Sequence, residues 1–569
     1  MPEYLSPGVY VEEFESEARI MEGVSTSIAG FTGLAVKGPV GEAPQSVTNM
    51  TDFRRKYGGY LSENKFASYR FLSYAVEHFF INGGSRAFIS RVAPPDAVKA
   101  ESVTDGVLTF RAANVGAWGN ELSVVATSAS KAKTQIEKLH SSKQIEVKNA
   151  AGFYPGDVIV LTDGDEKKYN RIVKIQDQLI DLMDDYDDSV VDDALVPKKI
   201  LSTCEFSLHV THSDTSEIYE NLSFNSNNPN YIHNRLCKSE LVTVEIEEIS
   251  DDVIPPFSLI STDENAAKPV TFVFEGGCDG SAENITKDTF IGKDNGPGHR
   301  TGIQAFIDND HVNIMAVPGV TDSTVQAELI RHCEHIRSHF AILDVPRNLK
   351  GTDDIIAHRK LFDSANAAMY HPWLIAYDPL DKCEIAIPPS GSIAGIYARS
   401  DNERGVHKAP ANEVVRGCVG LDIQFNKVEQ DILNPQGVNL IRSFPGQGIR
   451  VWGARTCSSV GQWKYVNVRR LFIHIEESIK VSTNWVVFEP NEEILWARVQ
   501  RSVERFLNGV WRSGALAGSS PDEAFFVNIG RHTMTQDDID NGQLICVVGI
   551  APVKPAEFII VRVIQRTDK

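Results

Sequence analysis

The two ends of the chain constrain its fold most. Residues Tyr4 to Phe14 read YLSPGVYVEEF. Pro7 fixes its own φ and pushes Ser6 toward extended geometry. Gly8 frees the backbone, and Val9, Tyr10 and Val11, followed by Glu12 and Glu13, favour a strand. A strand this short needs a sheet edge to lie against. At the other end, Phe558, Ile559, Ile560, Val561, Val563 and Ile564 form a near-continuous β-branched and aromatic run around Arg562. That run reads as a strand covered on both faces. A free strand in front and a sheet behind lead to an expectation: one molecule's arm completes its neighbour's sheet. The plainer alternative is an N-terminal strand pairing within its own chain.

A single core stops growing at about 250–300 residues, so 569 residues imply three or four domains. The 42% hydrophobic and 23% charged fractions are those of a folded soluble protein. A net charge of −20 argues against broad binding to nucleic acid or anionic membranes, which needs a basic footprint. The eight cysteines are scattered singly, with no CxxC pair. They read as reduced, buried thiols of a cytoplasmic product, with neither a disulfide framework nor a zinc ribbon. MPEYLSPG carries no basic or apolar leader, and no apolar stretch spans a bilayer. No secretory signal and no membrane insertion are expected.

An αβ alternation opens the chain. Ile28 to Val36 reads as a strand, Ser68 to Phe80 as an amphipathic helix and Ala87 to Val92 as the next strand. Gly116 and Gly119-Asn120 bracket Trp118 in a tight loop before another strand. From Ser128 to about Ser202 the helical period vanishes and short alternating runs appear, which suggests a small inserted β domain. Its stretch DLMDDYDDSVVDD, Asp181 to Asp193, lacks the glycine and terminal glutamate of a calcium loop and reads as a solvated acidic face. Beyond Gly276-Gly277-Cys278-Asp279-Gly280 the αβ rhythm is clear. Val312 to Val317, Ala341 to Val345 and part of Ala368 to Ala376 read as strands, with helices at Ser323 to His339 and Asp353 to Asn366. Short connections between them imply a parallel sheet with helices on both faces. Two long helices, about Arg469 to Thr483 and Pro490 to Arg512, precede a small sheet from Ala524 to Ile564, giving an α+β domain.

These segments resemble the contractile tail sheath proteins of myophage tails, R-type pyocins and extracellular contractile injection systems. The resemblance rests on the SPGVYVEE arm, the GAWGN loop (Gly116 to Asn120) and the Gly276 to Gly280 boundary. It rests also on PPSGSIAGIYARSDNERGVHKAPAN from Pro388 to Asn412, the Arg469-Arg470 helix start and IAPVKPAE from Ile550 to Glu557. Together they follow the family order over nearly the whole chain. The resemblance implies an extended arm (1–20), an N-terminal sheath domain in two segments (21–127 and 203–265) and an inserted outer β domain (128–202). A subtilisin-like αβ domain without catalysis (266–452) and a C-terminal α+β domain (453–569) complete the set. It implies a structural subunit that polymerises with itself as stacked helical rings around an inner tube, between baseplate and terminal cap proteins. Assembly is expected in the bacterial cytoplasm, as part of a phage tail or tail-like particle. The linking strands would be Val9, Tyr10, Val11, Glu12 and Glu13 of one copy. Leu544, Cys546 and Val548, with Phe558, Ile560, Arg562 and Ile564, would come from others.

Enzymatic readings find little footing. No GTSMA-type serine segment, HGTH-type histidine segment or G-x-S-x-G elbow occurs, and Gly298 to Gly302, around His299, lacks a partner pattern. No Walker A or dinucleotide fingerprint is present. No catalytic residue and no cofactor is expected. His332, His335 and His339 fall at i, i+3 and i+7, so on a helix they would share a face suited to zinc; partly exposed helix histidines are the plainer reading, and no metal is expected. In the last long helix Leu495, Val499, Val503, Phe506 and Val510 form an apolar stripe. Arg498, Arg501, Arg505 and Arg512 form a second, basic one. These arginines either pair internally, for example with Glu504, or dock on an acidic partner; the resemblance implies the inner tube. The competing classes are an αβ hydrolase and a monomeric adhesin or decoration protein that uses the β insertion.

Overall fold

The computed structural model describes residues 21–102, 107–163, 166–185, 199–213, 215–247, 253–260 and 268–557. The expected strands Val9 to Glu13 and Phe558 to Ile564, and most of the Asp-rich stretch, lie outside these residues. No helix among the described residues is long and apolar enough to cross a membrane.

An eight-stranded sheet forms the centre. Its order is Gln45–Val47, Ala87–Val92, Ala29–Leu34, Ile314–Ala316, Phe340–Asp344, Ala367–His371, Val438–Phe444 and Gly448–Val451. The six inner strands run parallel and the two edges antiparallel. Ala29–Leu34, Ala87–Val92, Phe340–Asp344 and Ala367–His371 are buried at every position, as strands covered on both faces must be. Ala29–Leu34, in the expected segment 21–127, pairs with Ile314–Ala316, in the expected segment 266–452, within one sheet. The reason is burial: an all-apolar parallel strand needs neighbours on both edges, and here one comes from about 280 residues downstream.

Helix Ser390–Arg404 crosses this sheet's face and is buried from Ser390 to Ser400. Its small residues permit a close approach to helix Leu72–Ile81. A Cβ on Gly391 would stand 2.3 Å from the Ala75 carbonyl oxygen, and one on Gly395 2.4 Å from that of Phe79. The remaining strands form a seven-stranded sheet, a closed six-stranded barrel, a three-stranded sheet and a two-stranded ribbon. The barrel contains Lys133–Ser141 through Ile200–Thr203 around a core of Ile136, Ile145, Ile159 and Leu201.

Two quoted motifs mate. Asn120 donates from Nδ2 to the Gly277 carbonyl and accepts from the Gly277 amide, both at 2.8 Å. Asp279 accepts from the Ala117 amide at 2.8 Å. The buried Arg91 guanidinium ties the same corner to the central sheet through the carbonyls of Ala35, Val36, Gly38 and Val115. The GAWGN and Gly276 to Gly280 loops thus lock the seven-stranded sheet onto the central one.

Candidate assembly surfaces

The ribbon pairs Phe525–Ile529 with Cys546–Ile550, antiparallel, in the register Val527 to Val548 and Ile529 to Cys546. The second strand begins at Cys546, so Leu544 of the expected set lies just outside it, half-buried in the core below. Val527 and Ile529 face that core, while Phe526, Asn528 and Val547 face out. The Phe526 ring lies over Gly549, where a Cβ would stand 2.2 Å from it; an aromatic covers the glycine of its partner strand. Gln500 donates to the Val527 carbonyl at 3.3 Å from the helix side. Among the described residues, no strand pairs with the outer edge of Cys546–Ile550. Two-stranded ribbons are marginal alone and an unpaired edge is a template for another strand.

Helix Glu493–Arg512 buries Leu495, Trp496, Val499, Val503 and Leu507. Phe506 and Val510 of the expected stripe are only partly buried, and Trp496 and Leu507 take their place. Arg498, Arg501, Arg505 and Arg512 are all exposed. Glu504 accepts from Gln500 at 2.8 Å, rather than from an arginine. Arg501 donates to the Ala497 carbonyl at 3.0 Å. Arg501, Arg505 and Arg512 line a groove of about 780 Å³ with Phe526 and Asp522.

Both chain ends are rooted by ion pairs. Asp401 and Arg470, each 4% exposed at the side chain, meet at 2.6 Å. Thr26 donates its hydroxyl to Asp401 at 2.6 Å and accepts from Arg470 at its carbonyl at 2.8 Å. At the other end, Arg455 grips Glu557 through two bonds of 2.8 and 2.6 Å, with Asn434 at 2.7 Å and the Tyr465 hydroxyl at 3.1 Å. Burial opposes ionisation of Glu557, but the bonds from Arg455, Asn434 and Tyr465 outweigh it and hold the carboxyl down at about 2. Sequence reasoning placed Arg470 and Glu557 in motifs and missed their partners, which lie 69 and 102 residues away.

The histidine expectation is corrected. Helix Ser323–Ile336 ends at Arg337, whose φ of 68° is left-handed, so His339 is not on it. His332 and His339 are buried, with Nε2 and Nδ1 3.1 Å apart, while His335 is exposed. Burial pushes His332 down to about 4 and His339 to about 3. No group of three metal-ligating side chains forms among the described residues. Among the described residues a serine and a histidine side chain meet at His78 Nδ1 and Ser392 Oγ, 3.1 Å apart. Both residues are sealed between two helices, at 4% and 0% exposure, and burial pushes His78 down to about 4. Ser390 donates to buried Asp344 at 2.7 Å. These contacts pack helices. His299 stays exposed.

Comparison with known proteins follows the same line. The phage tail sheath central-domain model matches residues 292–457, and the tail sheath C-terminal-domain model matches 458–566. The tail sheath protein of Escherichia phage P2 is 26% identical over 321 residues, 53% of this chain and 78% of its own length. A putative prophage major tail sheath protein of Pseudomonas aeruginosa is 26% identical, over 40% of this chain and 60% of its own. Among solved structures, the contracted sheath complex of the extracellular contractile injection system PVC is 21% identical, covers 100% of this chain and 99% of its own, and has a TM-score of 0.52. A sheath tail protein from Listeria innocua covers 94% and 96% at 10% identity, with a TM-score of 0.54. The chain belongs to the phage tail sheath protein family.

Proposed function

We propose that this protein is the structural subunit of a contractile tail sheath. It polymerises helically around an inner tube and contracts from a metastable extended state to drive the tube through a target envelope. The observation that carries the reading is the end-to-end likeness to a contracted sheath, joined to sheath-family matches over 292–566.

The open edge of Cys546–Ile550 supports strand sharing, in which Val9 to Glu13 of one copy and Phe558 to Ile564 of another extend the ribbon. Main-chain hydrogen bonds keep neighbours tethered while bodies slide from one lattice to the other. The exposed arginines of Glu493–Arg512 supply a basic face for an acidic inner tube. Baseplate and cap proteins bound the polymer, which assembles in the bacterial cytoplasm. The αβ domain, 266–452, is a subtilisin-like scaffold that performs no catalysis. The barrel is an outer insertion. Electron microscopy of the purified protein tests the reading. Striated hollow tubes of uniform diameter are expected; dispersed particles only would favour the hydrolase or the monomeric adhesin.

A further inference from the structure

The connection between helices Val466–Ser482 and Glu493–Arg512 carries an apolar tip. Phe488 is fully exposed, and Val487 and Ile494 beside it are exposed as well. Phe488 also holds a φ of 71°, a left-handed geometry that is uncommon for a bulky residue and costs about 1–3 kcal/mol. The turn around it is braced. The amides of Val486 and Glu489 donate to the carbonyls of Thr483 and Val486 at 2.9 and 3.1 Å, and that of Glu492 to Pro490 at 2.9 Å. Asn491 donates from Nδ2 to the Gln543 carbonyl at 3.0 Å and accepts from Trp496 Nε1 at 2.7 Å. A large aromatic held outward on strained backbone by a firm turn is suited to enter another surface.

The far end of the same helix offers such a surface. The groove of about 780 Å³ beside Arg505, Arg512 and Phe526 has Gly509 in its lining. Glycine in a helix interior costs about 1 kcal/mol against alanine. The fold of one copy does not require it here, because a Cβ on Gly509 would meet nothing within 4 Å. The absent side chain keeps the groove open. Phe526 is half-exposed on its wall, and Arg505 and Arg512 form no ion pair among the described residues. Charge selects the occupant. Residues 483–494 hold Glu489, Glu492 and Glu493 and no lysine or arginine. Glu493 meets Arg531 at 3.6 Å, while Glu489 and Glu492 form no ion pair among the described residues. An inner tube acidic enough to attract the arginine face would repel this tip. A basic groove walled by an aromatic attracts it. The tip cannot fill the groove of its own chain. Gly509 stands sixteen residues along one continuous helix from Glu493, roughly 24 Å at 1.5 Å per residue, and the braced turn leaves no slack.

We infer that the Phe488 tip of one copy enters the Gly509 groove of a second copy. Phe488 lies over Gly509 against Phe526, and Glu489 and Glu492 pair with Arg505 and Arg512. The inference rests on the sheath reading. It divides the arginine stripe: Arg505 and Arg512 serve the neighbouring copy, and Arg498 and Arg501 the tube. Tip and groove sit at opposite ends of one rigid helix, so the contact is head to tail. Repeating it builds an open helix or a ring, not a closed pair.

Chains carrying Phe488→Cys, co-assembled with chains carrying Gly509→Cys and oxidised with diamide, test it, because a link between the two positions is then intermolecular. Peptide mapping by mass spectrometry should find a disulfide joining positions 488 and 509. Its yield should exceed at least tenfold that obtained when Val460→Cys, at an exposed site before the other end of helix Val466–Ser482, replaces Phe488→Cys. No such excess in either the extended or the contracted particle overturns the inference. Phe488→Ser and Gly509→Leu should each raise the protein concentration needed for polymerisation at least tenfold, with melting temperatures no lower than wild type. Assembly of both variants at the wild-type concentration overturns it equally. The 488–509 link in oligomers that never form tubes would sink the sheath reading and leave the contact standing; striated tubes without the link would do the reverse.

Discussion

At the scale of single residues, the roots of the two chain ends decide most. Glu557 is ionised because Arg455, Asn434 and Tyr465 surround it, and Arg455 is itself only 8% exposed at its side chain. Glu557→Gln therefore strands a largely buried cation and should cost about 2–3 kcal/mol in chemical denaturation. The sign of the pH effect follows from a folded carboxyl held near 2 against an ordinary 4.5. Its stabilisation is full above pH 4.5 and fades as pH falls toward 2. The variant should lack that component of acid sensitivity, and identical acid profiles would contradict the assignment. Gly391 is equally exacting: Gly391→Ala drives a Cβ into the Ala75 carbonyl and should destabilise by about 1–3 kcal/mol in thermal melts.

At the scale of elements, the sequence was legible where one face met water. Glu493–Arg512 announces itself by Leu495, Val499 and Val503, spaced in threes and fours. Ser323–Ile336 opens with Asp322 accepting from the Thr324 amide at 2.8 Å. Helix Ser390–Arg404 was legible only as a motif, because an element buried on all sides keeps no amphipathic period. The histidine trio misled because helix spacing was carried past Arg337, where the backbone turns left-handed. His332 and His339, held neutral by burial at about 4 and about 3, set a second pH window. Their stabilisation is complete above pH 6.5 and declines as pH falls through 4. Melting temperature against pH should show that decline flattened in His339→Gln; an unaltered slope would contradict it. On the arginine face, Arg498→Glu, Arg501→Glu and Arg505→Glu together should abolish assembly on tubes while leaving circular dichroism and melting unchanged. Normal assembly would reject tube docking.

At the scale of the whole molecule, sequence order did not reveal which segments share a sheet. Ala29–Leu34 and Ile314–Ala316 read separately as buried strands, yet only three-dimensional pairing joins them. Nor did any local pattern disclose that Asn120 meets Gly277, or that Glu557 meets Arg455. The assembly surfaces divided in the same way: the arginine stripe could be read from spacing, while the open ribbon edge required packing. Deleting residues 1–14 should give soluble monomers with native melting and no tubes, as measured by sedimentation and electron microscopy. The most direct measurement is a helical cryo-EM reconstruction of the assembled particle. It should show strands from other copies, Val9 to Glu13 and Phe558 to Ile564, hydrogen-bonded into the ribbon of Phe525–Ile529 and Cys546–Ile550. Both chain ends folded back on their own subunit, with no intermolecular ladder, would contradict the account.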